Sequence, residues 1–406
     1  MLSGKKIGLF VTGGIAAYKM AEFSRQLIKK GATVRVVMSQ AATEFISPLT
    51  LQTLTGHPVL IDTFDEKDPS VVQHIHMADW CDYVVVAPAT ANILAKMAHG
   101  LADDIVSTTL LAVTGPRLIV PAMNTHMYQN PATQANINKL KSYGYKVMTP
   151  AYGFLAEGYE GIGRLPDLSH ILATLEALIA QHELPQVLAA KKILISAGGT
   201  KERIDPVRYI SNDSSGKMGY ALAQAAQYLG GQVKLVSTTD QLPLPYGVEK
   251  LSVSSAQNLY DTMTDQVGWA DMVIMAAAVS DYRLAQARDQ KIKKEPGQSG
   301  LQLDLIENPD ILKTLGQMRR PEQVLVGFAA ETHRVLEFAQ AKLAKKKADW
   351  IIANDVSDQS IGFNSDENQV TLINRHGNQI ALDRGNKLQV ALQILMTIME
   401  KEQDHA

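Results

Sequence analysis

The sequence has very little cysteine, no long apolar run and no excess of either charge. Cys81 is the only cysteine among 406 residues, which excludes a disulfide framework and a thiolate metal site. No apolar stretch reaches the ~20 residues of a membrane span. The opening "MLSGKKIGLF" also lacks the long apolar run and the small-residue cleavage site of a signal peptide. From these absences we expect a cytoplasmic globular protein without a membrane partner. The formal net charge of −2 gives no reason to expect a nucleic acid partner.

The order of apolar runs predicts two α/β domains, 1–188 and 189–406. "KKIGLFV" (5–11) reads as a strand, followed by a glycine turn, an amphipathic helix at 15–30 and a second strand at 33–38. The same order restarts at "KKILISAGGT" (191–200), after a polar, proline-containing linker. We therefore predict two doubly wound, Rossmann-like domains with parallel sheets. A hairpin at 370–382, turning at His376–Gly377, predicts a mixed edge in the second sheet.

The first glycine turn favours a mononucleotide over a dinucleotide. "TGGIAAYK" (12–19) follows a strand and opens a helix, so its backbone N–H groups can receive a phosphate, although packing alone also explains such turns. A dinucleotide fingerprint would need G-x-G-x-x-G and an acidic residue at the end of the second strand, and neither is present. The second strand ends instead in Ser39, whose hydroxyl suits a phosphate.

Three further features of the first domain are candidates for chemistry. "QHIHMADW" (73–80) carries His74 and His76, which an alternating segment would place on one face as a surface pair, or less readily as metal ligands. Asn124, in "PAMNTHM", follows an apolar strand, where its amide is either a turn residue or a group that binds a carboxylate. The glycine-rich stretch 153–164 predicts a mobile surface loop that carries Glu157.

These motifs, together with "APATANILAKMAHGLADD" (87–104), resemble the flavin-containing cysteine decarboxylases, in the same order across about 180 residues. The resemblance implies a flavodoxin-like flavoprotein domain that decarboxylates 4′-phospho-N-pantothenoylcysteine. It also implies that His74 assists acid–base steps and that Asn124 binds the substrate carboxylate. The residues implied to hold FMN are Gly13, Gly14, Ile15, Ala16, Ser39 and Thr90.

One position departs from this resemblance. Where the family loop carries a cysteine that donates a proton to the enethiol product, this chain has Glu157, and Cys81 is not at the matching position. Glutamic acid has an ordinary pKa of ~4.3, so burial would have to raise it before Glu157 could donate a proton at neutral pH. Three activities stay open for this domain: full conversion to 4′-phosphopantetheine, an oxidative decarboxylation that stops at the enethiol, and a non-catalytic regulatory flavoprotein.

In the second domain, "AGGTKERIDPVRYISNDSSGKMG" (197–219) gathers polar donors between a strand and a helix. Met218 stands where a Walker A motif needs Ser or Thr, so that motif is rejected. Asn212 and the serines either bind a ligand or cap the helix that begins near 217. Asp281 follows a strand of small residues, where its carboxylate could hold Mg²⁺ through triphosphate oxygens. Lys291, Lys293 and Lys294 lie in a glycine- and proline-containing segment that is either a lid or a solvated basic loop.

The motifs "DPVRYISNDSSGKMG", "AAAVSDY", "KIKK", "ENPDIL", "GFAAET" and "ANDV" resemble phosphopantothenate–cysteine ligase. The whole chain thus resembles the bacterial bifunctional enzymes of coenzyme A biosynthesis. The resemblance implies that 4′-phosphopantothenate and CTP form an acyl-cytidylate and pyrophosphate, and that the amine of cysteine then displaces CMP. It implies that Asn212 contacts the acyl-cytidylate, that Lys291 stabilises charge and that Arg208 reaches a neighbouring subunit's site. The residues implied to bind CTP are Ala277, Asp281, Asn308, Pro309, Asp310, Ile311, Phe328, Lys342 and Lys346.

The resemblance further implies a homo-oligomer, with ligase dimers and decarboxylase trimers that combine into a dodecamer. A nicotinamide-dependent oxidoreductase is the nearest rival among enzymes, and the missing dinucleotide fingerprint counts against it.

Overall fold

The structure is a computed structural model that describes residues 1–65, 70–293, 300–331, 335–355 and 365–403. It divides the chain into two compact units, Met1–Glu183 and Leu184–Ala406. Lys294, Thr332 and Val356, which belong to the motifs quoted above, lie outside the described residues. Within those ranges, no helix is long and apolar enough to cross a membrane.

Unit 1 is built on a five-stranded parallel sheet with the order β2-β1-β3-β4-β5. An antiparallel hairpin, β6-β7, stands apart from this sheet. The strands are β1 Lys6–Val11, β2 Thr33–Met38, β3 Tyr83–Ala89, β4 Arg117–Pro121, β5 Lys146–Val147, β6 Ala151–Phe154 and β7 Glu160–Arg164.

Helices cover both faces of this sheet, which explains its nearly continuous apolar strands. Along β1, Leu9 belongs to one buried cluster and Phe10 to another, on opposite faces. The predicted helix at 15–30 is instead a 3₁₀ turn, Ile15–Lys19, followed by an α-helix. The α-helices are α1 Met20–Lys29, α2 Pro48–Thr55, α3 Gln73–Trp80, α4 Ala91–His99, α5 Ile105–Ala112, α6 Thr125–Gln129, α7 Pro131–Ser142 and α8 Leu168–Glu183.

Unit 2 contains an eight-stranded mixed sheet with the order β12-β11-β8-β13-β16-β17-β19-β20. The first six strands are parallel, and β19 and β20 are antiparallel to their neighbours. The strands of this sheet are β8 Lys192–Ala197, β11 Gln232–Ser237, β12 Glu249–Ser252, β13 Met272–Met275, β16 Val324–Glu331, β17 Trp350–Asp355, β19 Val370–Asn374 and β20 Gln379–Ala381. The short paired strands are β9 Lys201–Arg203, β10 Tyr209–Ser211, β14 Tyr282–Leu284, β15 Leu305–Glu307, β18 Glu367–Asn368 and β21 Gly385–Asn386.

The sheet of unit 2 is also buried on both faces. Ile193 and Ile195 of β8 point into one cluster, and Leu194 points into the other. The predicted hairpin turns where expected, with Gly377 at a φ of +82°. The predicted fold class, two doubly wound α/β domains with a mixed second sheet, is confirmed. The α-helices are α9 Lys217–Tyr228, α10 Ala256–Gln266, α11 Ile311–Met318, α12 Val335–Lys346 and α13 Lys387–Gln403.

Candidate active sites

The first candidate site lies at the carboxyl ends of β1 and β3, where the strand order of unit 1 reverses. Ligands of doubly wound sheets bind at such a switch point. Thr12, directly after β1, donates from its hydroxyl to the carbonyl of Pro88 at 2.6 Å, and the backbone N–H of Thr90 donates to the Thr12 hydroxyl at 3.2 Å. These bonds join the two strand ends, so the first glycine turn and Thr90 lie side by side.

Ser39, which directly follows β2, borders the same site. Its backbone N–H donates to the carbonyl of Val11 at 3.0 Å, at the end of β1. A side chain at Gly13 would collide with Ala41, so glycine is needed for the two loops to meet. The hydroxyl oxygen of Ser39 is buried and has no hydrogen-bond partner among the described residues. An unpaired buried hydroxyl is costly, so this donor fits an anionic ligand group such as a phosphate.

Asn124 lies beyond the carboxyl end of β4 and caps α6. Its Oδ1 accepts from the backbone N–H of His126 at 2.9 Å, and its Nδ2 donates to the Tyr159 hydroxyl at 2.5 Å. The rings of His126 and Tyr159 also lie near each other, with centroids 6.3 Å apart. Tyr159 therefore orients the Asn124 amide, a role for which the sequence offered no signal beyond an aromatic residue among glycines.

The stretch 153–164 is not the irregular loop that its glycines predicted. It forms the β6-β7 hairpin, in which Gly153 pairs with Gly161. Side chains at Gly161 and Gly163 would collide with Thr125 and the Met123 carbonyl, so these glycines serve close packing against the segment that carries Asn124. Glu157 lies in the turn between the two strands and is exposed.

His74 lies on α3, which corrects the prediction of an alternating segment. Since α3 is a helix, His74 and His76 do not share a face, and His76 is exposed whereas His74 is half-buried. The Nδ1 atom of His74 is buried without a hydrogen-bond partner among the described residues. A buried unpaired imidazole nitrogen is consistent with a group that contacts a ligand.

Cys81 lies at the opposite edge of the sheet from these residues. It lies two residues before β3, at the amino ends of the strands, and its thiol donates to the carbonyl of Met77 at 3.0 Å. Burial raises the pKa of the Cys81 thiol to about 12. Cys81 therefore does not take the place of the loop cysteine for which Glu157 is substituted.

The second candidate site is a cavity of about 1040 Å³ in unit 2. It lies beyond the carboxyl ends of β13 and β16, close to where the strand order of the larger sheet reverses. Ten of the predicted ligase residues line it: Asn212, Ala277, Asp281, Asn308, Pro309, Asp310, Ile311, Phe328, Lys342 and Lys346.

Two lysines of α12 enter this cavity. Lys342 donates to the carbonyl of Phe328 at 2.6 Å, and Lys346 forms an ion pair with Asp310 at the start of α11. Burial of Asp310 opposes ionisation, but hydrogen bonds from Lys346 and from the Lys313 backbone outweigh it and lower the pKa of this carboxyl. A half-buried aromatic ring beside two ammonium groups suits a nucleotide, whose base can stack while its phosphates bind cations.

Asn308 connects the segment before α11 to the segment that carries Asp281. Its side-chain amide donates to the Ser280 carbonyl at 2.8 Å, and its backbone N–H donates to the Asp281 carbonyl at 2.8 Å. Asp281 itself is exposed. Among the residues that the structure describes, no three His, Cys, Asp or Glu side chains cluster as a metal site.

Asn212 is not a helix cap. Gly216, with a φ of +79°, is the N-cap residue of α9, whereas the Asn212 amide donates to the Val279 carbonyl at 3.0 Å. This bond joins the "NDSSGKMG" segment to the loop after β13. The alternative in which Asn212 caps the helix is therefore wrong.

Lys217, one of the polar donors predicted in 197–219, also lines the cavity. The cavity has further lining residues to which the sequence analysis gave no role: Ser280, Asn354, Asn368 and Lys387. The Ser280 hydroxyl and the Asn354 Oδ1 are buried without hydrogen-bond partners among the described residues. Asn354 could have been found from the quoted "ANDV" motif. Lys387 could not, because it comes to the cavity only through the packing of α13 on α9.

Arg208 and Lys291 do not line the cavity. Lys291 is exposed, and the guanidinium group of Arg208 contacts Asp205 and the carbonyl of Ile292 within its own chain. The structure therefore separates these two predicted residues from the other ligase residues.

Comparison with known proteins bears on both units. Residues 1–180 match the Flavoprotein family, and residues 188–401 match the DNA/pantothenate metabolism flavoprotein C-terminal domain family. The coenzyme A biosynthesis bifunctional protein CoaBC of Bacillus subtilis is 45% identical over 399 residues, which cover 98% of this chain and 97% of that protein. The chain belongs to the CoaBC family. CoaBC of Escherichia coli is 42% identical over 380 residues and 93% of each chain.

Solved structures resemble the two units separately. The C-terminal domain of a CoaBC protein is 40% identical and covers 54% of this chain and 99% of its own, with a TM-score of 0.46. A mutant PPC decarboxylase complexed with pantothenoylaminoethenethiol is 30% identical and covers 43% of this chain and 98% of its own, with a TM-score of 0.40.

Membership of the CoaBC family confirms the predicted activity class. The protein is a bifunctional enzyme of coenzyme A biosynthesis, with a phosphopantothenoylcysteine decarboxylase and a phosphopantothenate–cysteine ligase. Its first unit is a flavoprotein domain.

Proposed function

We propose that unit 2 activates 4′-phosphopantothenate with CTP and that unit 1 decarboxylates the resulting cysteine conjugate with FMN. The observation that carries this proposal is the cavity of unit 2, in which ten predicted ligase residues meet. CTP rather than ATP is the inferred nucleotide, on the resemblance of the motifs. The protein would act in the cytoplasm.

In the ligase step, the carboxylate of 4′-phosphopantothenate attacks the α-phosphorus of CTP, and pyrophosphate leaves. Lys342 and Lys346 would bind phosphate oxygens, and Phe328 would lie beside the cytosine. Asp281, which lines the cavity, would hold Mg²⁺ through these phosphates. Asn212 would orient the acyl-cytidylate, whose carbonyl the cysteine amine then attacks with loss of CMP.

In the decarboxylase step, the FMN phosphate would bind at Gly13 to Ala16, with the unpaired hydroxyl of Ser39 and the Thr90 segment. Direct loss of CO₂ from cysteine would leave an unstabilised carbanion. FMN, when bound, supplies the two-electron oxidation of the thiol, which places a C=S group β to the carboxylate as an electron sink. Asn124 would hold the carboxylate, and His74 would move the proton of the thiol.

The last proton of the decarboxylase reaction is assigned to Glu157, which stands in the turn of the hairpin docked over Asn124. An enzyme that stops at the enethiol is the second candidate, because Glu157 is exposed in this single chain. We infer a homo-oligomer, with dimers of unit 2 and trimers of unit 1, in which a neighbouring chain would enclose this turn and Arg208 would reach a second cavity.

The test of the ligase is pyrophosphate release from purified enzyme given 4′-phosphopantothenate, Mg²⁺ and each of the four nucleoside triphosphates. Release with CTP alone supports the proposal, and equal release with ATP overturns the nucleotide assignment. Addition of cysteine should then yield 4′-phospho-N-pantothenoylcysteine and CMP. The FMN assignment is tested separately by the flavin absorbance and the mass of the flavin released from the protein.

A further inference from the structure

Lys217 and Lys387 line the cavity of unit 2 and have no role in the reaction proposed above. Each is the first residue of its helix, Lys217 of α9 and Lys387 of α13. Lys217 is half-buried, whereas Lys387 is only 7% exposed. Lysine is seldom buried so deeply unless its charge serves an interaction. We call these two residues the α9-α13 lysine pair.

The two ammonium groups of this pair lie near each other. Burial and the positive charge of Lys217 lower the pKa of the Lys387 ammonium group, and the carboxylate of Asp366 opposes that effect. Lys217 forms an ion pair with Asp366 at 2.6 Å, and Lys387 donates to the carbonyl of Ser365. The side chain of Asp366 is 88% exposed. Its ion pair therefore contributes little to stability, and a phosphate can take its place at low cost.

The α9-α13 lysine pair reaches the cavity from one face of the sheet, and Lys342 and Lys346 reach it from the other. Helices α9 and α13 pack in the buried cluster that contains Ile195 of β8, whereas α11 and α12 pack in the cluster that contains Leu194. Successive residues of a strand point to opposite faces, so the two helix pairs cover opposite faces of the sheet. The cavity beyond the strand ends therefore has a pair of lysines on each side.

The proposed ligase reaction brings two separate phosphate-bearing groups into this cavity. CTP carries a triphosphate, and 4′-phosphopantothenate carries a phosphate at the end remote from its reacting carboxylate. Two such anions in one cavity repel each other unless each of them meets positive charge. Lysine ammonium groups are common ligands of phosphate. Since Lys342 and Lys346 form one pair, the α9-α13 lysine pair is suited to the second group.

We propose that Lys217 and Lys387 form a second phosphate subsite in the cavity of unit 2. The group bound there belongs to one of the two substrates, either the terminal phosphates of CTP or the phosphate of 4′-phosphopantothenate. In both cases the phosphate replaces Asp366 as the anionic partner of Lys217. This proposal rests on the proposed function of unit 2, which supplies both ligands.

The first test measures CTP-dependent pyrophosphate release by full-length Lys217→Met and Lys387→Met. Methionine is an unbranched side chain without the charge of lysine. Each variant should raise KM for one substrate about ten- to a hundred-fold and KM for the other less than about two-fold. The substrate affected identifies the phosphate that is bound. Lys191→Met, at an exposed lysine just before the amino end of β8, is the matched control.

Two outcomes of this test overturn the proposal. One is that both Michaelis constants stay at their wild-type values in both variants. The other is that the two constants rise equally, because a general distortion of the cavity would affect both substrates.

Asp366→Asn distinguishes a phosphate subsite from a merely structural contact. This change removes the ion pair of Lys217 from the opposite side and leaves the lysine in place. If Lys217 binds phosphate, the affected KM should stay unchanged or fall by up to about five-fold, because the carboxylate no longer competes for the ammonium group. If the ion pair only fastens the segment around Asp366 to α9, Asp366→Asn should raise that KM as much as Lys217→Met does, and the proposal is overturned.

Binding without turnover separates this proposal from the proposed chemistry. Each substrate is titrated alone into wild-type enzyme and Lys387→Met, and the variant should bind one of them about ten- to a hundred-fold more weakly. Wild-type enzyme that binds both substrates but releases no pyrophosphate contradicts the chemistry only, and the subsite then stands or falls on these affinities. Equal affinities of wild type and variant overturn the subsite, and wild-type enzyme that binds neither substrate overturns both proposals. If Lys387→Met does not fold, Lys217→Met at the half-buried position replaces it.

Discussion

The amide nitrogen of Asn124 lies 2.5 Å from the phenolic oxygen of Tyr159, and this hydrogen bond links the β6-β7 hairpin to the segment after β4. Oδ1 of the same amide accepts from the His126 backbone, which fixes its orientation. One N–H of the amide is used by Tyr159, and we expect the second to bind the substrate carboxylate.

Tyr159→Phe is expected to raise KM for 4′-phospho-N-pantothenoylcysteine about five-fold, because a neutral hydrogen bond that orients the amide is lost. The flavin content should not change. Steady-state CO₂ release and flavin absorbance measure the two quantities. Tyr152→Phe, at an exposed tyrosine of the same hairpin, is the control, and an equal effect of both variants would contradict the role of Tyr159.

Glu157→Gln tests the last proton of the decarboxylase. If Glu157 is the donor, formation of 4′-phosphopantetheine should fall at least about a hundred-fold under anaerobic conditions, and a product two hydrogens lighter should accumulate. Mass spectrometry of the products distinguishes the two compounds. Glu160→Gln in β7 is the matched control, and wild-type yields from Glu157→Gln would assign the proton to another group.

Lys346→Met should raise KM for CTP by about ten- to a hundred-fold, because a charge-assisted contact to phosphate contributes roughly 1.5–3 kcal/mol. KM for 4′-phosphopantothenate should change much less. Lys345→Met, at the adjacent exposed residue of α12, is the control. A similar rise in both Michaelis constants would indicate a general distortion of the cavity rather than loss of a phosphate contact.

Asp349→Ala is expected to destabilise unit 2 more than a surface change does. The Asp349 carboxylate pairs with Arg319, accepts from the Leu325 backbone N–H at 2.8 Å and accepts from Arg375 at 2.8 Å. Its loss should lower the free energy of unfolding by about 2–4 kcal/mol, less than for a fully buried pair because part of the network is exposed. Urea unfolding followed by tryptophan fluorescence measures this value. Asp383→Ala, at an exposed position, should cause almost no loss, and an equal effect would contradict the prediction.

The contribution of Asp205 to stability should depend on pH with a definite sign. Hydrogen bonds from the Arg208 side chain hold its native pKa below its ordinary value of ~3.9, so its contribution is complete above that value and is lost as pH falls through the native pKa. The difference in urea midpoint between wild type and Asp205→Asn should therefore stay constant from pH 7 to about pH 5 and shrink as the pH falls below about 4. A difference that grows on acidification would show that the carboxylate is not stabilised as an anion.

Much of the fold follows from local patterns in the sequence. The apolar runs at 5–11 and 33–38 became β1 and β2, because buried parallel strands need apolar side chains on both faces. At 73–80 the alternation of His74 and His76 was misleading, because the pattern of apolar and polar residues in so short a segment fits a helix as well as a strand. The glycines of 153–164 predict a loop, whereas Gly161 and Gly163 lie in a strand and allow close packing against a segment some forty residues away.

The candidate sites were predictable only where a motif carried them. Residues of "VSDY" and "ENPDIL" do meet in the cavity of unit 2, as the ligase resemblance implies. The contacts of Tyr159 with Asn124 and of Asp205 with Ile292 join segments 35 and 87 residues apart. Such pairings depend on the packing of whole elements and have no local signal.

In the β6-β7 hairpin, the residues that pack against the rest of unit 1 are not the residue proposed to donate a proton. Gly161 and Gly163 dock the strand against the segment around Asn124, whereas Glu157 contributes nothing to that docking because it is exposed in the turn. A change of residue at 157 can therefore alter the outcome of the reaction without disturbing the rest of the flavoprotein unit. The residues that attach the hairpin and the residue at 157 are therefore separate parts of the chain, and one substitution at 157 changes the side chain in the turn while the attachment stays the same.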